Sequence, residues 1–149
     1  MAVQTLTSTV FDNLPIKAPH VGNVTIGGSY SRGATTNTVG DVVFLAKIPH
    51  GAIVVDILVD HTTPATALGV EYGLATGTPV GGGASLSIFS AALAKATYSR
   101  ISVVGHQNTR ISVSDSDPNR YGIFAAQLST GTTTESYAIN FSITYRCDE

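Results

Sequence analysis

The chain has 149 residues, enough for one domain with a closed core. Apolar residues make up 43% and charged residues 12%, the reverse of the balance that leaves a chain disordered. Eight basic and ten acidic residues give a formal charge of −2 with no basic stripe, which argues against a protein that coats nucleic acid.

The opening "MAVQTLTSTVFDNLP" lacks a basic region followed by an apolar run, so no signal peptide is expected. "TLTSTVF" alternates weakly, and the first 39 residues, punctuated by Thr, Gly and Pro, are predicted to form an extended arm ahead of a domain over 40–149. Within the arm, "NVTIGGSYS" reads as a short strand broken at Gly27-Gly28.

"VVFLAKI" (42–48) is nearly continuous in apolar character, the mark of a strand covered on both faces. Pro49 cannot donate to a sheet ladder and Gly51 tolerates positive φ, so Pro49-His50-Gly51 should end one strand and start the next. In "AIVVDILVD" (52–60) a period of two puts Ile53, Val55, Ile57 and Val59 on one face and Val54, Asp56, Leu58 and Asp60 on the other. "VEYGLAT" adds a strand. After the loop "GTPVGGGA", the segment "SLSIFSAALAKATYS" (85–99) places Phe89, Leu93 and Ala96 at helical spacing and predicts one short helix.

"RISVVG" and "RISVSD" repeat a short pattern around "HQNT" and predict a hairpin over 100–115. "RYGIFAAQL" is a further strand. The last, "SYAINFSITYR", sets Tyr137, Ile139, Phe141, Ile143 and Tyr145 on one face against Ala138, Asn140, Ser142, Thr144 and Arg146. Many short strands with turns between them, and no alternating helices, predict an all-β antiparallel sandwich or jelly roll.

Sites of chemistry are scarce. His20, His50, His61 and His106 have no partners at zinc-like spacing, and Asp60 and His61, being adjacent on a strand, point to opposite faces. "DSDPNRYG" sets Asp115, Asp117 and Asn119 at alternating positions, but a calcium loop would want Gly and Glu where Arg120 and Ala126 stand. Asp56 and Asp60 are about 13 Å apart along an extended strand, too far for a carboxylate pair. Cys147 is a lone thiol with Arg146 beside it, so no disulfide framework is expected. The glycine-rich segments lack both a phosphate-loop Lys and a nucleophile elbow. No catalytic, cofactor-binding or metal-binding residue is assigned, no cofactor is expected, and the chain is expected not to be an enzyme. No segment is long and apolar enough to predict a membrane span.

"GDVVFLAKIPHGAIVVDILVDH" (Gly40 to His61), then "GVEYGLATG" and the terminal "YAINFSITY", resemble small structural proteins of tailed bacteriophages, of the capsid decoration, cement or head-fibre-base type. The carrying motif is the run from Lys47 to Ala52 between two apolar strands. The resemblance implies a sandwich or jelly-roll core, a homotrimer, and binding to the major capsid protein lattice on the outer surface of the virion, after assembly in the host cytoplasm. A fibre or other virion protein is a further implied partner; nucleic acid and membrane are not. From the residues alone, 42–48 together with Val54 and Leu58 are candidate contacts with neighbouring subunits, burial within the monomer being the alternative. A head-fibre or tail adaptor, or a carbohydrate-binding module for host attachment, are the other functions considered. The absence of Trp and the scatter of the tyrosines speak against the last.

Overall fold

A computed structural model describes residues 5–12, 22–33, 38–62, 69–76, 85–88, 96–101, 121–130 and 136–147. They form nine strands: β1 (Thr5–Thr7), β2 (Asn23–Arg32), β3 (Val42–Pro49), β4 (Ala52–Thr62), β5 (Gly69–Thr76), β6 (Ser85–Ile88), β7 (Ala96–Ile101), β8 (Tyr121–Thr130) and β9 (Tyr137–Cys147). Two sheets result, ordered β1-β3-β8-β5-β6 and β2-β9-β4-β7. From β2 to β5 the chain crosses to the opposite sheet at every step, and it does so again from β6 to β9. All pairs are antiparallel except β1 with β3. The protein is an all-β sandwich, as the strand periodicity predicts.

One main core lies between the sheets. Tyr137, Ile139, Phe141, Ile143 and Tyr145 of β9 all enter it, as the alternation in that strand predicts, and meet Tyr72, Phe124 and Leu128 from the facing sheet. Each of the buried Ile, Leu and Phe side chains contributes about 1.5–3 kcal/mol of hydrophobic stabilisation. Gly51 takes φ 82° at the turn after Pro49, where a side chain would strain the backbone, so the tripeptide reverses the chain as expected.

β3 is covered on both faces. Val43, Leu45, Ala46 and Ile48 belong to the main core. Val42 and Phe44 belong to a second cluster on the opposite face of that sheet, with Phe11, Ala75, Ile123 and Ala125. A register shift between Phe44 and Ala46 accommodates the extra residue.

Four expectations need correction. In β4 a register shift between Val54 and Asp56 inserts Val55 as an extra residue. Ala52 and Val54 therefore face the core before it and Ile57, Val59 and His61 after it, while Val55 is 40% and Leu58 37% exposed. One added residue inverts a strand's faces, so Val54 is a core residue and Val55 a surface one. Second, the helix predicted over 85–99 is replaced at both ends by strands: Ser85–Ile88 pairs with β5, and Ala96–Ile101 with β4. Residues 89–95 lie outside the described set. Third, β2 is not broken at Gly27-Gly28: all ten of its residues have partners in β9. Fourth, the segment 1–39, predicted as an arm, supplies β1 to one sheet and β2 to the other. Of the hairpin predicted over 100–115, only Arg100 and Ile101 are described, in β7, and the aspartates of "DSDPNRYG" lie outside the described residues.

Candidate assembly surface

Three local constructions set the surface that this sandwich presents. The first is a clasp, residues 5–11, across the side where β3 and β2 lie together. β1 runs parallel to β3 in the register Thr5 to Val42, Leu6 to Val43 and Thr7 to Phe44. Beyond it the Ser8 N–H donates to the Phe44 carbonyl at 2.8 Å, and the buried Ser8 hydroxyl donates to the Leu45 carbonyl at 2.5 Å. The next residue changes sheets: the Thr9 N–H donates to the Ser29 carbonyl of β2 at 3.0 Å. Leu6 and Val10 pack on the main core. Phe11 turns the other way and stacks on Phe44 with ring centroids 5.4 Å apart. The clasp thus ties both sheets together and covers apolar surface on two fronts.

Lys47 completes this outer cluster. Its ammonium lies 4.9 Å from the centre of the Phe11 ring and 5.0 Å from that of Tyr121. A cation held between two aromatic faces is attracted by both ring quadrupoles. The Lys of the Lys47–Ala52 motif therefore serves packing in this fold.

The second construction is a buried polar anchor where β2 leads into β3. Arg32 and Asp41 are 8% and 0% exposed, with Nη1 and Oδ2 3.5 Å apart. The same carboxylate accepts the Thr38 N–H at 3.0 Å. The Gly40 N–H donates to the Leu128 carbonyl, and the Leu128 N–H donates to the Asp41 carbonyl, fixing this turn against β8. Gly40 adopts φ 95°, which explains a glycine there. Tyr30 and Tyr137 pack nearby with rings 5.8 Å apart. Burial pushes both phenols above the ordinary tyrosine value, an effect that the Arg32 charge opposes.

His61, which the sequence leaves as a polar residue at a strand end, is instead a core residue, 1% exposed. Its Nδ1 shares a 2.8 Å hydrogen bond with the Tyr72 hydroxyl. Burial, and next the charge of Asp60, push the Tyr72 phenol far up, so it stays neutral and available for that bond. His50 is partly exposed in the turn, and His20 and His106 lie outside the described residues. Among the described residues no three His, Cys, Asp or Glu side chains gather where they could hold a metal ion.

The third construction is the outward face of the four-stranded sheet. It is mostly small and polar: Thr25 and Thr144, paired across β2 and β9, share a hydrogen bond of 2.9 Å. On β4 it carries Val55 and Leu58, with Asp56 accepting from Arg100 Nε at 3.0 Å. Of the contacts expected with neighbouring subunits, residues 42–48 and Val54 are thus covered by their own chain, and Leu58 remains on the surface. Val55 joins it through the bulge, whose position no residue type in "IVVDI" announces.

No protein-family model and no curated protein matches this chain. Solved structures do. A chain from the capsid of Ralstonia phage GP4 superposes with a TM-score of 0.69 at 13% identity, over 97% of this chain and 99% of that one. A chain from the cyanophage Pam1 capsid asymmetric unit gives a TM-score of 0.50 at 18% identity, over 91% and 95% of the two chains. At such identities the likeness is one of fold, and it runs nearly end to end.

Proposed function

We propose that this chain is a structural protein of a tailed-phage virion, without enzymatic activity, that decorates and stabilises the capsid by binding the major capsid protein lattice. The observation that carries the proposal is the end-to-end correspondence of fold with chains from two phage capsids, each matched over at least nine-tenths of its own length. The strand order supports reading the sandwich as a jelly roll, a double-sheet architecture that recurs in viral capsid domains. A lattice-binding part needs a rigid block with a surface complementary to its neighbours, and it needs no reacting groups. The two apolar clusters and the clasp supply the block. Val55 and Leu58, with the Asp56–Arg100 pair beside them, place exposed apolar and charged side chains together on the outward side of a rigid sheet. The trimer implied by the resemblance would join two different, mutually complementary patches of each copy in a heterologous contact that closes after three subunits.

The carbohydrate-binding alternative loses support from the aromatic residues. Among the described aromatic side chains, Phe11, Phe44, Phe124, Phe141, Tyr30, Tyr72, Tyr137 and Tyr145 are buried and the half-buried Tyr121 ring is engaged by Lys47, whereas a sugar platform needs an exposed ring.

Co-sedimentation of purified protein with expanded, empty phage shells tests the proposal. The wild-type chain is expected to pellet with shells at a fixed stoichiometry, and the double variant Val55→Lys/Leu58→Lys to remain folded but stay in the supernatant. Failure of the wild type to pellet overturns lattice binding. An image of the decorated particle then separates a lattice position from a fibre base or a tail adaptor.

A further inference from the structure

We propose that the seat of the clasp is a strand-acceptor site open to residues 5–11 of a second copy of this chain, so that neighbouring copies can exchange their clasps. Three observations lead there. The clasp is held at the edge of its sheet by a short ladder: three residues of β1, then one backbone bond each from Ser8 and Thr9, supplemented by the bonds of the Ser8 and Thr9 hydroxyls to Leu45 and Ser29. Segments attached by few bonds at the end of a sheet are the first to open.

The seat is shaped for one particular segment. β2 carries glycine at 28, where a Cβ would lie 2.7 Å from Val10 Cγ2 and 3.1 Å from the Phe141 ring. On the other front, Phe44 and the Lys47 ammonium receive the Phe11 ring. When the clasp lifts, part of the apolar cover of Phe44 and Phe141 goes with it, and the segment that fits the vacated seat best is an identical one.

The connection has slack to let the clasp lift away from its own seat. Thr9 lies beside Ser29, and Asn23 is about 20 Å from Ser29 along the extended strand β2. The chain from Thr9 to Asn23 can reach about 46–50 Å when fully extended. Roughly half of that length is surplus, whatever path residues 13–21 take. A chain's own clasp competes at an effective concentration of about 1 mM. Exchange is therefore a property of crowded or assembled copies, and dilute protein keeps its clasp at home. The contacts are the same in both cases, so the choice follows local concentration. The inference does not depend on the capsid reading, because a second copy is its sole requirement.

Cysteine pairing provides the test, in a Cys147→Ser background. Thr9→Cys and Ser29→Cys chains are unfolded together, refolded at about 1 mM, the effective concentration of the competing clasp, and oxidised. The expected product is a disulfide-linked pair of twice the chain mass containing one chain of each kind. Thr9→Cys mixed with Thr25→Cys, which is exposed on the same strand but away from the clasp, should give at most a tenth as much. The doubly substituted chain Thr9→Cys/Ser29→Cys reports whether the seat is filled. If it closes an internal disulfide while the mixture gives no mixed pair, exchange is overturned. Equal cross-linking in the Thr25→Cys control, or no disulfide in any sample, also overturns it, since the clasp would then not occupy the seat beside Ser29.

Discussion

Val10 rests against the bare backbone of Gly28: a Cβ built on that glycine would stand 2.7 Å from Val10 Cγ2. Gly28→Ala sets two effects against each other. Alanine restricts the unfolded chain and so stabilises by about 0.4–1 kcal/mol. Overpacking against Val10 and Phe141 costs about 1–3 kcal/mol. The second is larger, so the variant should be less stable. Adding Val10→Ala should recover part of the loss, which a double-mutant cycle from urea unfolding measures; strictly additive losses would show that the two residues do not touch.

The two ion pairs should behave very differently. Arg32→Met strips the guanidinium from beside an Asp41 carboxylate that is fully buried, and losing one partner of a buried pair typically costs about 3–5 kcal/mol. Arg100→Ala breaks a shorter contact, 3.0 Å, but its side chain is 70% exposed and water screens the pair. Its effect should stay within about 0.5 kcal/mol. Denaturant midpoints of the two variants decide, and equal losses would contradict the assigned burial.

Tyr72→Phe removes the hydroxyl that meets His61 Nδ1 in the core. Leaving that nitrogen without this partner should cost about 1–2 kcal/mol, and His61→Leu, which strands the hydroxyl instead, a similar amount. The double variant should cost less than the sum, because neither polar atom then remains. Thermal unfolding of the four chains provides the cycle.

Alkaline pH should destabilise this protein through its buried phenols. Burial, the largest cause in each case, raises the phenols of Tyr30, Tyr72 and Tyr137 above the ordinary tyrosine value of about 10. Below that value the folded and unfolded chains both keep these protons, and the phenols add no pH dependence. Above it the unfolded chain releases protons that the folded chain retains, so stability falls by up to about 1.4 kcal/mol per pH unit for each phenol. Urea midpoints between pH 9 and 11.5, with tyrosinate absorbance followed in parallel, should show unfolding and ionisation together. Tyr72→Phe should flatten the slope.

How far the sequence could be read depended on whether each strand kept its period. β9 was legible because its alternation is unbroken and every inward residue is large. β3 was legible because an unbroken apolar run has few explanations besides cover on both faces. β4 was misread, since one bulge reverses the sense of the pattern and two consecutive valines conceal where it falls. Ala and Leu in 85–99 suggest helix by intrinsic preference, yet pairing with β5 and β4 overrides that preference at both ends. The clasp was unreadable for another reason. Its Thr-rich stretch shows no strong period, and Val10 and Phe11 gain their packing from Gly28, Phe44 and Lys47, which are far along the chain. The Arg32–Asp41 anchor is equally silent, as no spacing rule links a strand end to the turn it will meet.

The place of β9 carries a consequence for how the molecule comes into being. It is the last of the nine strands to be synthesised, yet it stands between β2 and β4, which have no ladder with each other. Until its eleven residues have left the ribosome, one half of the sandwich has no middle. The nascent polypeptide must wait, with greasy strands uncovered, for its final ribbon to arrive, and closure by such distant partners is slow. A part released half-made would then lack the rigid sheet on which its outer patch is displayed.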